Sequence, residues 1–273
     1  MTPDTRTRRA VVLAAGRGIR MQEPDDGVVL TPGQAAMADA GLKMLVPIHG
    51  RPFLAYVLHE LAEARLEEVC LVVGPGDDDP VRAAVEAMPL ERLRASFAVQ
   101  SQPRGSAHAV LAAESCVDDE PFLVINADNV YTAGALRAVG ALEGSGLAGY
   151  DADALVARSN IKPERVAAFA LIEEEDGAMA GIVEKPDAAT ALAMQGAPVS
   201  MTLWRFQPSI FQACRDTEPS PRGELELVDT VELAIRRGAR FQVVPVADGV
   251  LDISRRADIP AVERWLQGVE PRP

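Results

Sequence analysis

The sequence predicts an α/β protein in which a mostly parallel sheet is covered by helices on both sides. Apolar strand-like segments alternate with helix-like segments through the first half of the 273-residue chain, a pattern typical of a parallel sheet. The apolar fraction is 48% and the charged fraction 25%, as in ordinary globular domains. Because this length is sufficient for one large core, we predict a single domain over residues 9–267, divided into halves at 9–150 and 151–267. We expect a disordered tail at 1–8 and a further tail at 268–273.

The first half contains four predicted strands and three predicted helices, assigned from the period of the apolar residues. The strands are Arg9–Ala14, Glu68–Val73, Ser96–Gln100 and Phe122–Asn126. The helices are Phe53–Ala64, Val81–Met88 and Ser106–Glu114.

The sequence of the second half predicts a hairpin, two further strands and two helices. The hairpin consists of Ala168–Glu173 and Gly181–Glu184, joined across the turn signal Asp176-Gly177. The other strands are Val199–Phe206 and Phe241–Val246. The helices are Glu226–Arg237, which ends at Gly238, and Ile259–Gln267.

A long segment at 22–41 interrupts this pattern. It carries Pro, Asp and Gly residues, and only Gln34–Ala40 has the composition of a short helix. Long loops in compact α/β domains are usually functional or disordered. Since the segment directly follows a glycine-rich loop, it is either a lid over that loop or a tolerated surface insertion.

Charge and cysteine content exclude several classes of function. The formal net charge is −13, which disfavours non-specific binding to nucleic acid or to an anionic membrane. The chain has no run of 18 apolar residues, and residues 1–9 lack the apolar region of a secretory signal. Cys70, Cys116 and Cys214 are odd in number and widely spaced, as expected of thiols in a reducing compartment. We therefore expect a cytoplasmic protein without nucleic-acid or membrane partners.

The most informative motif is the glycine-rich loop after the first strand. It consists of Ala14, Ala15, Gly16, Arg17 and Gly18. Glycines allow backbone N–H groups to approach a phosphate closely, and arginines add charge-assisted contacts. A loop at this place in an α/β protein predicts nucleotide binding, whereas a structural turn with solvated arginines is the alternative. The spacing matches neither the P-loop nor the dinucleotide fingerprint.

Four further positions supply the residue types that phosphate chemistry requires. Lys43 follows the loop, Asp128 ends an apolar strand, Lys185 follows a strand of the second half, and Asp252 follows another apolar stretch. Two aspartates can hold Mg²⁺ when substrate phosphates supply the remaining ligands. Cations would then neutralise the phosphoryl oxygens. Each residue also has a structural alternative: Asp128 could cap the following helix, Lys185 could be an exposed surface lysine, and Asp252 could belong to a turn.

With these motifs in hand, the sequence resembles the sugar-1-phosphate nucleotidyltransferases, the nucleoside diphosphate sugar pyrophosphorylases. The resemblance extends from about Arg9 to Ile259. The stretch Leu13–Met21 resembles the family's phosphate loop, Val183–Pro186 its sugar-phosphate motif, and Pro219–Asp229 a segment of the thymidylyltransferase branch. The resemblance is strongest to the glucose-1-phosphate thymidylyltransferases and uridylyltransferases. It implies a Rossmann-like three-layer α/β/α sandwich of the nucleotide-diphospho-sugar transferase type, with a mostly parallel mixed sheet.

The resemblance also implies a role for each matching residue. The catalytic cations would be Arg20 and Lys43, on the triphosphate and the leaving pyrophosphate, and Lys185, on the sugar phosphate. Nucleotide binding would fall to Ala14, Ala15, Gly16, Arg17, Gly18, Gln100 and Gly105. Sugar binding would fall to Asn129, Ala170, Glu184 and Thr202. The metal ligands, for Mg²⁺, would be Asp128 and Asp252.

The implied reaction is a direct displacement between two small-molecule partners, a nucleoside triphosphate and a sugar 1-phosphate. The sugar phosphate oxygen attacks the α-phosphorus, pyrophosphate leaves, and no protein nucleophile is required. A homo-oligomer is the expectation of the family.

Departures from the family pattern fall mostly on the sugar side. Phe169-Ala170 replaces Tyr-Gly, Thr202 stands where the family has glycine, and Asp252-Ile-Ser replaces Asp-Thr-Gly. On the nucleotide side, Ile19 replaces Thr, Leu42 replaces Pro, and Lys43 lies about a dozen residues further from the loop than in the family. The acceptor is therefore glucose 1-phosphate or a related sugar or cyclitol phosphate. A pyrimidine triphosphate is favoured, with GTP or ATP as alternatives.

Three other functions compete with this interpretation. A nucleotide-sugar-dependent glycosyltransferase would use Asp128-Asn129 on a metal-bound sugar nucleotide, but it leaves the arginine loop and Lys43 without a triphosphate to bind. A noncatalytic nucleotide-sugar sensor would retain the fold without turnover. A NAD-dependent oxidoreductase fits least, since the glycine spacing is wrong.

Overall fold

A ten-stranded mixed sheet lies between two layers of helices in the computed structural model, which describes residues 6–25 and 27–273. The strands are β1 Arg9–Leu13, β2 Pro47–Ile48, β3 Arg51–Pro52, β4 Glu68–Val73, β5 Arg94–Val99, β6 Phe122–Asn126, β7 Asn129–Tyr131, β8 Ser145–Tyr150, β9 Ala170–Glu175, β10 Ala178–Val183, β11 Val199–Ser200, β12 Trp204–Phe206, β13 Phe241–Val246 and β14 Val250–Asp252. The helices are α1 Ile19–Gln22, α2 Pro32–Asp39, α3 Phe53–Glu63, α4 Pro80–Glu86, α5 Ser106–Ala112, α6 Ala133–Gly140, α7 Ala152–Ala157, α8 Pro163–Val166, α9 Ala188–Ala193, α10 Ile210–Asp216, α11 Leu227–Arg236 and α12 Ile259–Trp265. Short 3₁₀ turns occupy Lys43–Leu45, Glu114–Cys116 and Arg256–Asp258.

The main sheet has a parallel part and a mixed part. Its strand order is β11-β9-β10-β13-β8-β12-β6-β1-β4-β5. Strand β1 pairs in parallel with both β4 and β6, and β5 extends this part through β4. Strands β8 and β13 form a second parallel pair, and antiparallel β12 joins the two parts through β6 and β8. A separate two-stranded ribbon pairs β7 with β14.

The core has two apolar layers, one on each face of the sheet. Alternate residues of β1 divide between them: Ala10 and Val12 belong to the layer of α3 and α6, and Val11 to the layer of α5, α10 and α11. This alternation is the period of a β-strand that is buried on both faces. The arrangement is the predicted three-layer α/β/α sandwich.

Most local predictions agree with the structure to within a few residues. The predicted strands Glu68–Val73, Phe122–Asn126 and Phe241–Val246 have the bounds of β4, β6 and β13. The hairpin of β9 and β10 turns at the predicted Asp176-Gly177. The short helix predicted at Gln34–Ala40 begins earlier, at Pro32. Thr31 is its N-cap and forms a capping box with Gln34.

Two predictions for the second half were incomplete. The predicted strand Val199–Phe206 is divided into β11 and β12, since Thr202 between them has a left-handed backbone with φ +60°. Strand β8 was not predicted, because Ser145–Tyr150 contains two glycines, which have low strand propensity. Its pairing with β13 on one side and β12 on the other outweighs that propensity.

Both chain ends contact the domain where they are described. Thr7 is buried, its N–H donates to the Gly140 carbonyl at 3.1 Å, and its hydroxyl accepts from the buried Arg205 at 2.8 Å. Residues 6–8 therefore do not belong to a disordered tail, and residues 1–5 lie outside the described residues. The Pro273 carbonyl accepts from the N–H of Glu91 at 2.9 Å, so the segment 268–273 packs on the domain. Within the described part of the chain, no helix is both long and apolar enough to cross a bilayer.

The segment 22–41 supports the glycine-rich loop from behind. A Cβ on Gly18 (φ +56°) would lie 2.2 Å from the Gly41 carbonyl oxygen, and a Cβ on Gly41 (φ +72°) would lie 2.3 Å from that of Arg17. Arg256 holds both sides of this contact: its guanidinium donates to the Met21 carbonyl at 3.0 Å and pairs with Asp39. The described residues of the segment line neither cavity of the candidate site. In this structure the described part of the segment therefore supports the loop and does not cover either cavity.

We expect Gly18→Ala to destabilise the loop, because the added methyl group meets the Gly41 backbone and the residue keeps a left-handed φ. The expected loss is about 2 kcal/mol of unfolding free energy, measured by urea denaturation. Gly16→Ala is the matched control, since nothing lies within 4 Å of its added Cβ. Equal stability of the two variants would contradict the close contact.

Candidate active site

The glycine-rich loop lies at the carboxyl edge of the parallel strands. The Ala14 N–H donates to the Val72 carbonyl at 2.9 Å, and the Ala127 N–H donates to the Leu13 carbonyl at 3.1 Å. These two bonds extend the ladders of β1 with β4 and β6 by one residue. As a result the loop and the turn that carries Asp128 leave the same edge of the sheet, where α/β proteins bind ligands.

Two adjoining cavities open at this edge. The loop cavity has a volume of 630 Å³ and is lined by the glycine-rich loop, Lys43, Gln100, Gly105 and Asp128. The hairpin cavity has a volume of 780 Å³ and is lined on one side by residues of the β9–β10 hairpin. Arg20, Ser106 and Asn126 line both cavities. The two cavities together therefore resemble a site for two ligands that meet near Arg20.

Gln100 is oriented by its neighbours at the far end of the loop cavity. The buried Gln100 side chain donates from Nε2 to the Gly105 carbonyl at 2.9 Å and lies 3.3 Å from Nδ1 of His108. Burial and nearby Arg104 lower the pKa of His108, which favours the neutral ring, whose unprotonated nitrogen can accept this contact. With its amide nitrogen occupied in this way, Gln100 retains its carbonyl oxygen for a ligand.

The segment Pro219–Asp229 packs against this end of the loop cavity. Gly105 (φ +114°) contacts it so closely that a Cβ would lie 2.4 Å from the Leu225 carbonyl oxygen. Leu225 donates to the Arg104 carbonyl at 2.6 Å and accepts from Ala107 at 2.9 Å. The contact brings Glu224 into the wall of the cavity. Sequence reasoning assigned no cavity residue to this segment, although its resemblance motif indicated it.

Lys43 and Asp128 are in contact with each other in the wall of the loop cavity. The Lys43 ammonium and Asp128 Oδ2 form an ion pair, and both side chains are mostly buried. Lys43 begins the 3₁₀ turn after the long segment, and Asp128 follows β6. The structure thus brings these two predicted residues together.

Asp252 lies in the β7–β14 ribbon next to the site, and like Asn129 it lines neither cavity. In that ribbon Asp252 is opposite Asn129, and the Ile253 N–H donates to the Asp128 carbonyl at 3.0 Å. The Asp252 carboxylate is 5% exposed, accepting from Asn129 at 3.1 Å and from Arg165 at 2.8 Å. A residue more than a hundred positions away in sequence is therefore next to Asp128.

Asn129, which was predicted to contact the sugar, contacts Asp252 instead of lining a cavity. Its side chain is buried, donates to Asp252 and accepts from the Tyr131 hydroxyl at 3.4 Å. It lines neither cavity, whereas Asn126, which sequence reasoning did not select, lines both. Asn129 thus holds a carboxylate in position, because residues opposite each other in an antiparallel ribbon have their side chains on the same face.

The other predicted sugar-side residues line the hairpin cavity. They are Ala170 at the start of β9, Glu184 and Lys185 after β10, and Thr202 between β11 and β12. Lys185 and Thr202 both have left-handed backbones, with φ +47° and +60°. Such conformations are costly outside glycine and often occur at functional sites. Glu184 lies 3.7 Å from Arg222, which also pairs with Glu226 at 2.8 Å.

Arg165 is a cavity residue that sequence reasoning missed. Its guanidinium donates to Asp252 at 2.8 Å and to Asp258 at 3.0 Å. Burial acts to lower the pKa of Arg165, but pairing with the two carboxylates outweighs burial and raises it. Arg165, Lys162 and Asn160 line the hairpin cavity together. The polar run Ser159–Arg165 in the sequence was the available sign.

The aspartate pair is compatible with a magnesium ion. No group of three or more His, Cys, Asp or Glu side chains around a common point occurs within 6–25 and 27–273. Magnesium, however, usually takes one or two protein carboxylates and completes its ligands with water and substrate phosphates. Asp128 and Asp252 offer such hard oxygen atoms on adjacent strand ends, although Arg165 and Asn129 share the Asp252 carboxylate.

The comparison with known protein families identifies the class of this protein. The family model described as nucleotidyl transferase matches residues 9–253, so the chain belongs to the nucleotidyl transferase family. The low-salt glycan biosynthesis nucleotidyltransferase Agl11 of Haloferax volcanii is 28% identical over 217 residues, which are 78% of this chain and 57% of that protein. The glucose-1-phosphate thymidylyltransferase of Streptomyces antibioticus is 29% identical over 267 residues, covering 97% of this chain and 68% of that enzyme.

Solved structures share the fold. The crystal structure of UDP-glucose pyrophosphorylase complexed with UDP-glucose superimposes with a TM-score of 0.70 at 21% identity, covering 96% of this chain and 99% of that one. The predicted fold class and the predicted class of protein, the sugar-1-phosphate nucleotidyltransferases, are confirmed.

We expect Arg165→Gln to destabilise the protein, because it leaves the carboxylates of Asp252 and Asp258 without their shared cation. The expected loss is about 2 kcal/mol of unfolding free energy, measured by urea denaturation at neutral pH. Arg240→Ala serves as the control. Arg240 is exposed, and it forms no ion pair with any described residue. Equal stability of both variants would show that the bridge contributes nothing.

Proposed function

We propose that this protein transfers a nucleotidyl group from a nucleoside triphosphate to a sugar 1-phosphate and releases pyrophosphate. The observation that carries the proposal is the junction of the two cavities at Arg20, with the Lys43–Asp128 pair in one cavity and Lys185 in the other. Two phosphate-bearing ligands placed in these cavities would present their reacting groups to each other.

The loop cavity suits the triphosphate. Backbone N–H groups of Ala15, Gly16, Arg17 and Gly18 would approach the phosphates, with Ala14 anchoring the loop to β4. Arg20 and Lys43 would hold the β- and γ-phosphates and stabilise the charge of the leaving pyrophosphate. Gln100 and Gly105 would contact the base at the far end.

The base is proposed to be uracil or thymine. The free carbonyl oxygen of Gln100 can accept a hydrogen bond from the N3–H of either base, a group that cytosine lacks. The thymidylyltransferase relative and the pyrophosphorylase complexed with UDP-glucose support the same choice. Guanine and adenine also carry N–H donors at their pairing edges, so GTP and ATP are the alternative nucleotides.

The hairpin cavity suits the acceptor, with glucose 1-phosphate or a related sugar or cyclitol phosphate as the proposed substrate. Lys185 would neutralise the acceptor phosphate, and Glu184 would accept hydrogen bonds from ring hydroxyls. Ala170 and Thr202 would bound the ring, and their side chains narrow the cavity relative to glycine. Asn129 would act only through Asp252.

The chemistry would be an in-line displacement governed by position and charge. The acceptor phosphate is anionic at neutral pH, so no general base is required to generate the nucleophile. Lys185 would align the attacking oxygen, and Arg20 at the junction would counter charge on the α-phosphate. Mg²⁺ held by Asp128 and Asp252 would supply charge neutralisation of the triphosphate.

Location and assembly belong to the same proposal. We place the reaction in the cytoplasm, where its nucleotide and sugar phosphate substrates would be available, and a homo-oligomer remains the family expectation. A noncatalytic sensor is the second candidate, since all the binding groups described here would serve binding without turnover.

The reaction is tested by measuring pyrophosphate release with UTP, dTTP, CTP, GTP and ATP, each crossed with a panel of sugar and cyclitol 1-phosphates. We expect release only when both substrates and Mg²⁺ are present, fastest with UTP or dTTP. A chelator should abolish release, and added Mg²⁺ should restore it. Nucleotide binding without release from any pair would favour the sensor, and absence of nucleotide binding would overturn the assignment of the loop cavity.

Lys185→Ala should lower kcat by about 10² to 10³, by analogy with removal of a charge-stabilising donor, because the acceptor phosphate loses its cation. Steady-state kinetics with the best substrate pair would measure the change. Lys185→Arg keeps the charge and should recover part of the rate, whereas the exposed control Arg240→Ala should match the parent protein. Undiminished turnover of Lys185→Ala would contradict the assignment.

A further inference from the structure

The distribution of lysine is unusual in this chain. The sequence contains 27 lysines and arginines, of which only Lys43, Lys162 and Lys185 are lysines. Lys43 lines the loop cavity, and Lys162 and Lys185 line the hairpin cavity. All other basic positions, including those over the rest of the surface, are arginines. Two of the three lysines have roles in the proposed reaction, and Lys162 has none.

Lys162 and a second cation without a role, Arg255, line the same cavity, and an ion pair connects their chain segments. Lys162 precedes α8, and its carbonyl accepts from the Arg165 N–H at 2.9 Å. Arg165 bonds Asp258 at 3.0 Å, and the other oxygen of Asp258 accepts from the Arg255 N–H at 2.7 Å. The Arg165–Asp258 pair thus ties the segment of Lys162 to that of Arg255, and both residues line the hairpin cavity.

Within the described part of the chain, these two cations have no carboxylate partner. Among residues 6–25 and 27–273, no carboxylate oxygen lies within 4.0 Å of the Lys162 or Arg255 side-chain nitrogens. Of the acidic residues in the hairpin cavity wall, Asp258 is paired with Arg165 and Glu184 lies near Arg222, which leaves Glu164. In a chain with net charge −13, such an excess of unpaired positive charge at one cavity favours an anionic ligand.

A simple sugar 1-phosphate does not use all of these cations. In the proposed function the triphosphate takes Arg20 and Lys43, and the acceptor phosphate takes Lys185. Lys162 and Arg255 then remain on the wall formed by α8 and the turn after β14. A cavity of 780 Å³ has room for a hexose phosphate with a further substituent.

We propose that Lys162 and Arg255 bind a second anionic group on the acceptor, so that the preferred substrate is a sugar or cyclitol 1-phosphate that also carries a carboxylate or a second phosphate. This inference rests on the proposed function and specifies its substrate class. Lys162 and Arg255 are specificity residues in this assignment, and the reaction at the first phosphate is unchanged.

The test compares three acceptor probes that share one ring: glucose 1-phosphate, glucuronic acid 1-phosphate and glucose 1,6-bisphosphate. Binding of each probe is measured by calorimetry, and pyrophosphate release is measured with the best nucleotide. We expect the unmodified protein to bind at least one doubly anionic probe about tenfold or more tightly than glucose 1-phosphate, the effect of one charged hydrogen bond. The better of the two distinguishes a carboxylate from a phosphate.

The variants Lys162→Ala and Arg255→Ala should each reduce that preference about tenfold, and Lys162→Arg should retain most of it. Arg240→Ala is the matched control, and thermal unfolding of every variant checks its fold. Equal or weaker binding of both doubly anionic probes would overturn the inference, as would losses that are the same for all three probes. If, of the three acceptors, only glucose 1-phosphate supported pyrophosphate release, the proposed function would stand. The proposal that Lys162 and Arg255 bind a second anionic group would then be refuted.

Discussion

The pairing of β1 between β4 and β6 is the constraint on which the site depends. These three parallel strands end at one edge, and the bonds from Ala14 to Val72 and from Ala127 to Leu13 continue the ladder into the loops. The glycine-rich loop and Asp128 therefore start from hydrogen-bonded, mostly buried strands. Placing charged loops on such strands reduces the reorganisation required when a charged ligand binds.

A second level of order connects the two halves of the chain. The short β7–β14 ribbon places Asp252 beside Asp128, and Arg165 joins Asp252 to Asp258. Arg256 then fixes the turn after β14 to the Met21 carbonyl beside Arg20. Residues from four separate parts of the sequence thus share one hydrogen-bonded framework, so the loop cavity and the hairpin cavity cannot move independently without breaking it.

The sequence predicted features that depend on local pattern, and it missed those that depend on tertiary contact. Strands β4 and β6 and the Asp176-Gly177 turn follow from apolar period and turn residues, so their positions were predicted closely. Strand β8 was missed because its glycines disfavour a strand, and only its neighbours in the sheet hold it extended.

The site shows the same division. Residues with motif matches, such as Arg20 and Lys185, line the two cavities. The family resemblance implied a sugar contact for Asn129, whose buried side chain donates to Asp252, the residue opposite it in the ribbon. Arg165 and Arg255 had no local pattern to distinguish them from the other arginines of the chain. The position of Arg165 follows from its ion pairs with Asp252 and Asp258, and that of Arg255 from the bond of its backbone N–H to Asp258.

The scarcity of lysine has a practical consequence for chemical labelling. Because Lys43, Lys162 and Lys185 are the side-chain amines of the whole sequence and all three line the two cavities, every lysine that an amine reagent modifies reports on the site, and the α-amine is the remaining target. The ammonium of Lys43 is mostly buried in its pair with Asp128, whereas Lys162 and Lys185 are exposed. An acylating probe would thus report occupancy of the hairpin cavity directly, without any engineered residue.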